Sequence, residues 1–324
     1  MSGKTGRDGR IGEGGEGGDD GEWRRTTETI DPALADLDLR PTPAVLDALL
    51  DGQRRAVDAV NASRDALARA ITAAAERLGR GTGRLVLAGA GASGRIAVQD
   101  GAELWPTFGW PNERLRLCMA GGDEALVRSV EGVEDDAAAA RAEAGDVAVG
   151  PDDVLVALAA SGASPWTCAW LETARERGAL TVGLANNAGA PLLSAAECPV
   201  LLDTGGEVLA GSTRMAAGTA QKIALNLFGT ALMVRLNRTY GNLMVDMAAV
   251  NAKLDGRRLT MLRHVLPDLG EEAARDALRR AGGWVKLAAL LARGDDGPSA
   301  RRRLDAHRGS LRAALASIDT GRSF

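Results

Sequence analysis

The sequence predicts an α/β fold, a parallel sheet covered by helices on both faces, followed by a smaller all-helical unit. Three observations lead there. Short unbroken apolar runs recur at Leu85–Ala88, Leu115–Met119, Val154–Leu158 and Leu180–Leu184. Each meets glycine, serine or asparagine, and Ala-rich helical stretches such as Trp166 to Arg177 lie between them. After about Gly256 the strand signal stops and only helical spacing remains. Strands that are apolar at every position belong to sheets buried on both faces, and alternation with helices makes them parallel. Ligands of such sheets bind at the carboxyl ends of the strands, so the loops after the strands are the places to look for chemistry.

The elements follow in order. Residues 1 to about 27 hold nine glycines mixed with charge. Such a stretch cannot bury apolar area and is expected to be a disordered tail. Residues 28–62 read as an N-terminal helical arm. Thr42 as cap and Pro43 at the first helical position open its helix. Val45, Leu46, Leu49, Leu50, Ala56, Val57 and Val60 carry the apolar spacing. Ser63 is placed to cap a second helix to about Leu78, which Gly79, Gly81 and Gly83 end. The sheet domain is expected over 63–245, with a long helix from about Thr213 to Val234. Residues 246–324 are expected to form the helical C-terminal domain. Its residues 257–324 hold 14 Lys plus Arg against 8 Asp plus Glu. The Arg301–Arg303 run raises a nucleic-acid reading. Interleaved acids and a near absence of stacking aromatics favour a solvated helical face instead.

Composition narrows the function. The 324 residues correspond to about two domains at ~150 residues each. A 45% hydrophobic and 25% charged chain is an ordinary globular one, and with 3% aromatics its core must be aliphatic. The formal net charge of −4 is not the footprint of a nucleic-acid binder. No apolar run approaches the ~20 residues of a membrane helix, and no charged-then-apolar leader opens the chain. A cytoplasmic protein is expected, with no membrane or nucleic-acid partner. The three cysteines, Cys118, Cys168 and Cys198, sit in apolar surroundings without C-x-x-C spacing and are expected to be reduced thiols. Only two histidines occur, His264 and His307, both late in the chain. A His-based metal site or a Ser–His–Asp triad is therefore hard to build.

Three loops carry chemistry. Gly89-Ala-Gly-Ala-Ser-Gly94-Arg95 matches G-x-G-x-x-G between a strand and a helix. A dinucleotide site would want an acid at the tip of the second strand, and Met119-Ala-Gly-Gly122 has none. The same geometry makes a phosphate or sugar cradle from backbone N–H groups around Gly94 and the Ser93 hydroxyl, with Arg95 following. The second loop, Ser161-Gly162-Ala163-Ser164-Pro165, brackets another helix start. A plain capped helix needs one serine there, whereas two hydroxyls and a glycine suit a phosphate dianion. The third runs from Gly205 to Lys222 and offers Glu207, Ser212, Thr213, Arg214 and Lys222 as binding groups. Ser212 and Thr213 are equally ordinary helix caps, and the charged residues ordinary surface groups. Of the acids, Glu103 lies in the helix after the first loop, and Glu131, Glu134 and Asp135 follow the second strand.

At these residues the chain resembles a known family. Gly89–Arg95, Glu103 with Pro106-Thr-Phe108, Ala120-Gly-Gly122, Val130-Glu-Gly-Val-Glu-Asp135, Ala160-Ser-Gly162, Gly211-Ser-Thr-Arg-Met215, Ala217–Lys222 and Gly241-Asn-Leu-Met-Val-Asp246 are similar to the N-acetylmuramic acid 6-phosphate etherases. The likeness spans roughly residues 28 to 320, and several long motifs in order are far more specific than any one loop. It implies a sugar isomerase (SIS) fold, a flavodoxin-like three-layer sandwich, usually dimeric with its active site at or near the subunit interface. It implies cleavage of the D-lactyl ether of a sugar phosphate, no metal and no redox cofactor. It matches Glu103 to the catalytic acid and Glu134 to a second active-site glutamate, taken here as the base. The same chemistry runs with the two roles shared or exchanged.

The chain departs from the family pattern at Ala92, where Thr is common, at Ala163 within a loop that commonly reads Arg-Thr-Pro-Tyr, and at Ala216, where Lys is common. A hydroxyl and two positive charges are lost, which bears on substrate tolerance rather than reaction class. Three rivals share the fold: a non-catalytic sugar-phosphate sensor like the glucokinase regulatory proteins, an SIS-type transcription regulator, and an aldose–ketose isomerase. Both glutamates and a single short SIS unit speak against the sensor. The glycine-rich acidic N-terminus speaks against the regulator. An isomerase would release no lactate.

Overall fold

The computed structural model describes residues 25–247 and 253–321. Helices α1 (Thr42–Ala62) and α2 (Arg64–Leu78) precede the sheet domain proper. Strand β1 (Leu85–Gly89) leads into α3 (Gly91–Ala102) and the short α4 (Leu104–Phe108). Strand β2 (Leu115–Met119) is followed by α5 (Glu124–Val127) and α6 (Ala137–Asp146). Then come β3 (Val154–Leu158), α7 (Pro165–Glu176), β4 (Leu180–Ala185), α8 (Pro191–Ala195), β5 (Cys198–Leu201) and the long α9 (Ala216–Arg235). Helices α10 (Lys253–Val265), α11 (Glu271–Arg280), α12 (Val285–Ala292), α13 (Gly297–Ala306) and α14 (Leu311–Gly321) complete the chain.

All five strands are parallel, in the order β2-β1-β3-β4-β5. Alternate side chains serve two cores, as the pleat requires. Leu85, Leu87, Val154, Val156 and Leu158 pack against α1, α2, α3 and α9. Val86, Ala88, Leu155 and Ala157 pack against α6 and α7. This is the doubly covered parallel sheet that the unbroken apolar runs predict. The chain reverses its direction of winding between β1 and β3, and sheets of this kind bind ligands at the carboxyl ends of the strands beside that switch. A separate core of Val245, Leu262, Ala274, Leu287, Leu290 and others holds the C-terminal helices, with Tyr240, Leu243 and Met244 packed against it. The second core therefore begins a few residues before 246, where the sequence reading placed the boundary. The Arg301–Arg303 run lies on α13, where Arg303 pairs with Asp295 at 2.7 Å.

Several local expectations shift. Helix α1 starts at Thr42 itself, with Pro41 in the cap position, and Thr42 caps nothing. The Ser63 hydroxyl donates to the carbonyls of Ala59 and Leu201 and does not cap α2. Strand β5 is absent from the expected set. It is a four-residue edge strand carrying Pro199, a residue that weakens any strand signal. The expected disordered tail lies mostly outside the described residues. Its last residues do not fit the expectation: Thr26–Glu28 form a 3₁₀ turn and Thr27 is fully buried. The cause is a long-range partner, Asn187, whose amide the local composition cannot reveal. The cysteines are free thiols, with Cys118 buried and the other two half-buried. Burial, with Glu172 nearby, pushes Cys168 up to about 11, so it stays protonated at neutral pH.

One ion pair locks the amino edge of the sheet. Arg84, just before β1, donates to both oxygens of Asp153, just before β3, at 3.2 and 2.6 Å. Burial pushes the Asp153 carboxyl up, but hydrogen bonds from the Arg84 side chain and backbone and from Gly150 outweigh it and hold Asp153 below the usual carboxylate range. A carboxyl lowered on folding contributes stability above its unfolded pKa, and that contribution is lost as pH falls through the folded value. The wild type is expected to lose stability on acidification below about pH 4. Arg84→Met should be less stable at pH 7 by about 1–3 kcal/mol, with a shallower acid limb. Urea midpoints at pH 7 and 3.5 check both.

Candidate active site

The first two loops flank the switch point. At the first, α3 begins at Gly91 and Ser93 lies in its first turn, 6% exposed. Gly94 is where the helix meets the strand. A Cβ there would stand 2.3 Å from the Met119 sulfur and 2.5 Å from the Gly89 carbonyl oxygen, so only glycine allows the approach. Arg95 is tied elsewhere: it donates to the carbonyls of Ala125 and Arg128, both at 2.9 Å. It anchors α5 to α3 rather than serving as a free cation for a ligand.

At the second loop, Gly162 adopts φ +70°, and a Cβ there would meet Ala190 Cβ at 2.3 Å. The Ser161 hydroxyl accepts from the Ala163 N–H at 3.2 Å and closes a tight turn. Ser164 stands at the cap position of α7, yet its side chain does not cap. Its hydroxyl instead donates to the Glu134 carbonyl at 3.1 Å. That bond brings the turn Val133–Asp135, and with it the exposed Glu134, to the second loop.

The third loop corrects two expectations. Helix α9 begins at Ala216, so Ser212 and Thr213 lie before its start and cap nothing. The cap is Glu207, 3% exposed, whose two oxygens accept from the N–H groups of Ala216 and Ala217 at 3.0 and 2.9 Å. A carboxylate at a helix N-terminus also meets the positive end of the helix dipole. Both Glu207 oxygens are thus engaged in capping α9. Glu207→Gln keeps one acceptor and turns an N–H toward another N–H. It should cost about 1–2 kcal/mol of stability by chemical denaturation. Ser212 is half-buried and Arg214 exposed on the loop before the helix.

Lys222 and Glu103 sit away from this edge. Lys222 pairs with Asp100 at 2.8 Å, and Asn226 donates to the same carboxylate. The pair lies in the seam between α3 and α9. Glu103 follows at the end of α3, exposed at the corner before α4. Ten residues of helix separate it from Ser93, about 15 Å at 1.5 Å per residue. The chain then enters β2 at its amino end, whereas Glu134 follows the carboxyl end of β2. Val133, next to Glu134, packs with the α6–α7 core, while Ala97 and Leu104 of α3 and α4 belong to the other. The structure thus gathers Ser93, Gly94, Ser161, Gly162, Ser164, Glu134, Ser212, Thr213 and Arg214 at one edge. It places Glu103 toward the opposite one and Lys222 in the α3–α9 seam between.

Sequence reasoning missed the groups that join the loops. Asn186 donates to the Leu202 and Ala217 carbonyls and accepts from Gln221 at 3.1 Å, fixing the end of β4 to α9. Asn187 holds the N-terminal turn. The only signal was two adjacent asparagines at a strand end.

A parallel sheet wound in this order, with glycine–hydroxyl loops on both sides of its switch point, is consistent with the SIS class of α/β proteins. Residues 66–175 match the family described as glucokinase regulatory protein N-terminal SIS domain. The similarity to individual proteins extends much further. The chain is 50% identical over 292 residues to the N-acetylmuramic acid 6-phosphate etherase of Deinococcus radiodurans, covering 90% of this chain and 95% of that protein. It is 45% identical to the one from Rubrobacter xylanophilus, covering 89% and 95%. The chain belongs to the N-acetylmuramic acid 6-phosphate etherase family. Among solved structures, the phosphoheptose isomerase of Francisella tularensis is 21% identical with a TM-score of 0.45, covering 60% of this chain and 100% of that one. No described helix is long and apolar enough to cross a membrane.

Proposed function

We propose that this protein is a carbon–oxygen lyase that converts N-acetylmuramic acid 6-phosphate and water into N-acetylglucosamine 6-phosphate and D-lactate. The observation that carries the reading is the 50% identity to an etherase over 90% of the chain. The edge of hydroxyls and helix N-termini suits the phosphate of such a substrate.

The reaction needs an acid and a base. In the ring-opened sugar the C1 aldehyde acidifies the C2 proton. Glu134 takes that proton, the C2–H electrons form the C2=C3 bond, and the C3–O bond breaks. The departing lactyl oxygen is a poor leaving group and takes a proton from Glu103. Water then adds at C3: it gives its proton to Glu103, and the C2 proton returns from Glu134. Each residue ends in its starting state.

Within one chain Glu103 lies at the end of α3 and Glu134 follows the carboxyl end of β2. The family resemblance, with its active site at or near the subunit interface, suggests that Glu103 of one protomer joins Glu134 of the other. A homodimer is the assembly we propose, working in the cytoplasm on amino sugars from the cell wall. Incubating the purified protein with N-acetylmuramic acid 6-phosphate and assaying D-lactate tests the activity. Lactate release supports it. Tight binding of the sugar phosphate without lactate would favour a sensor, and a ketose product an isomerase.

A further inference from the structure

The loops at the carboxyl edge are crossed by the chain's own N-terminal segment. Thr26–Glu28 form a 3₁₀ turn with Thr27 fully buried. The Asn187 side chain is central to its placement. Asn187, fully buried after β4, accepts at Oδ1 from the Thr26 hydroxyl at 3.1 Å and the Thr27 N–H at 3.2 Å. Its Nδ2 donates to the Thr27 hydroxyl at 3.2 Å, to the Ala160 carbonyl at 2.8 Å and to the Ser161 carbonyl at 3.4 Å. On the other side the Thr27 carbonyl accepts from the Gly211 N–H at 3.1 Å. The exposed Glu28 lies over Gly211: a Cβ on that glycine would stand 3.1 Å from the Glu28 carboxylate.

The Asn187 amide thus ties Thr26 and Thr27 to the Ser161 loop, and the bond from the Gly211 N–H to the Thr27 carbonyl ties them to the loop of Ser212, Thr213 and Arg214. Thr27 offers little apolar area, so its burial is explained by this polar network. Such a network is costly to leave half satisfied in a dry setting. The carboxylate it delivers repels a phosphate but accepts hydrogen bonds from neutral hydroxyls. It suits the sugar ring rather than the phosphate.

We infer that Thr26–Glu28 is a strap forming one wall of the sugar-phosphate site. Glu28 accepts from a hydroxyl of the sugar, and Asn187 is the positioning residue that holds the strap against both binding loops. The identity of the sugar rests on the function proposed above; the placement of the strap does not. Asn187 lies in the core and its replacement also tests folding, so Thr27→Val carries the test and Thr27→Ser is the conservative rescue. Thr27→Val is expected to raise KM for N-acetylmuramic acid 6-phosphate about tenfold with kcat within about threefold, and to lower the thermal unfolding midpoint because the Asn187 amide loses a partner. Thr27→Ser should restore KM. Glu28→Ala should weaken N-acetylglucosamine 6-phosphate by calorimetry about tenfold without weakening inhibition by inorganic phosphate. Unaltered KM and calorimetric affinity in Thr27→Val, or a fall in kcat alone, would overturn the strap. If the wild type binds N-acetylglucosamine 6-phosphate but releases no lactate, the etherase reading fails. The strap then stands or falls by the calorimetry of Thr27→Val and Glu28→Ala.

Discussion

Glu103→Gln and Glu134→Gln are each expected to lower D-lactate release by a factor on the order of 10²–10⁴, the usual effect of removing a proton-transfer group. Both side chains are exposed, so neither change should move the unfolding transition. The informative experiment is to mix the two inactive variants after dissociating and reassociating their subunits. If the site takes Glu103 from one protomer and Glu134 from the other, a mixed dimer has one site with both glutamates and one with neither. Half the dimers of an equal mixture are mixed, so activity should return to about a quarter of wild type. If both groups act within one chain, mixing restores nothing and the two-protomer site is wrong. Recovery is the expected outcome if the interface site implied by the family resemblance is correct.

Lys286→Met is expected to destabilise the protein by about 3–5 kcal/mol, the cost of leaving a buried charge without its partner. The Lys286 ammonium contacts the Asp246 carboxylate, with side chains 5% and 7% exposed. Burial pushes Asp246 up and Lys286 down, opposed by their mutual attraction. Arg238 lies 3.8 Å from the same carboxylate and donates to the Gly109 carbonyl at 3.1 Å. Lys286 also donates to the Asn237 carbonyl at 2.7 Å. This cluster fastens the C-terminal helices to the corner after α4, near Glu103. Lys286→Met combined with Asp246→Leu should recover part of the loss, since an apolar pair leaves no charge uncompensated. Urea unfolding of the single and double variants measures both. A single variant as stable as wild type would show that the pair contributes little.

The sheet was legible residue by residue where strands were unbroken and apolar. The expected Leu115–Met119 and Val154–Leu158 coincide with β2 and β3, and the other two expected strands differ by one residue at the end. Strand β5 was not legible, because an edge strand needs less apolar sequence and tolerates a proline. The glycine loops were legible as loops because their spacing is local. The role of Gly94 follows from that spacing once helix meets strand. In the sequence alone Glu207 is equally a ligand group and a surface charge. Its role depends on the N–H groups of Ala216 and Ala217, which become unpaired donors only because the helix starts there.

The sequence by itself determined the α/β class, the parallel sheet, the separate helical C-terminal unit and the loops that form the candidate site. All of these arise from periodicity and short-range spacing, which act over a few residues. Tertiary structure alone decided that Thr27 is buried, that Asn187 spans three segments, that Lys222 is held by Asp100 and that Glu103 and Glu134 lie apart. These depend on contacts across more than a hundred residues or on the direction in which a helix carries a side chain. A one-dimensional pattern names the groups that can do the chemistry, and only the folded chain sets the distances between them.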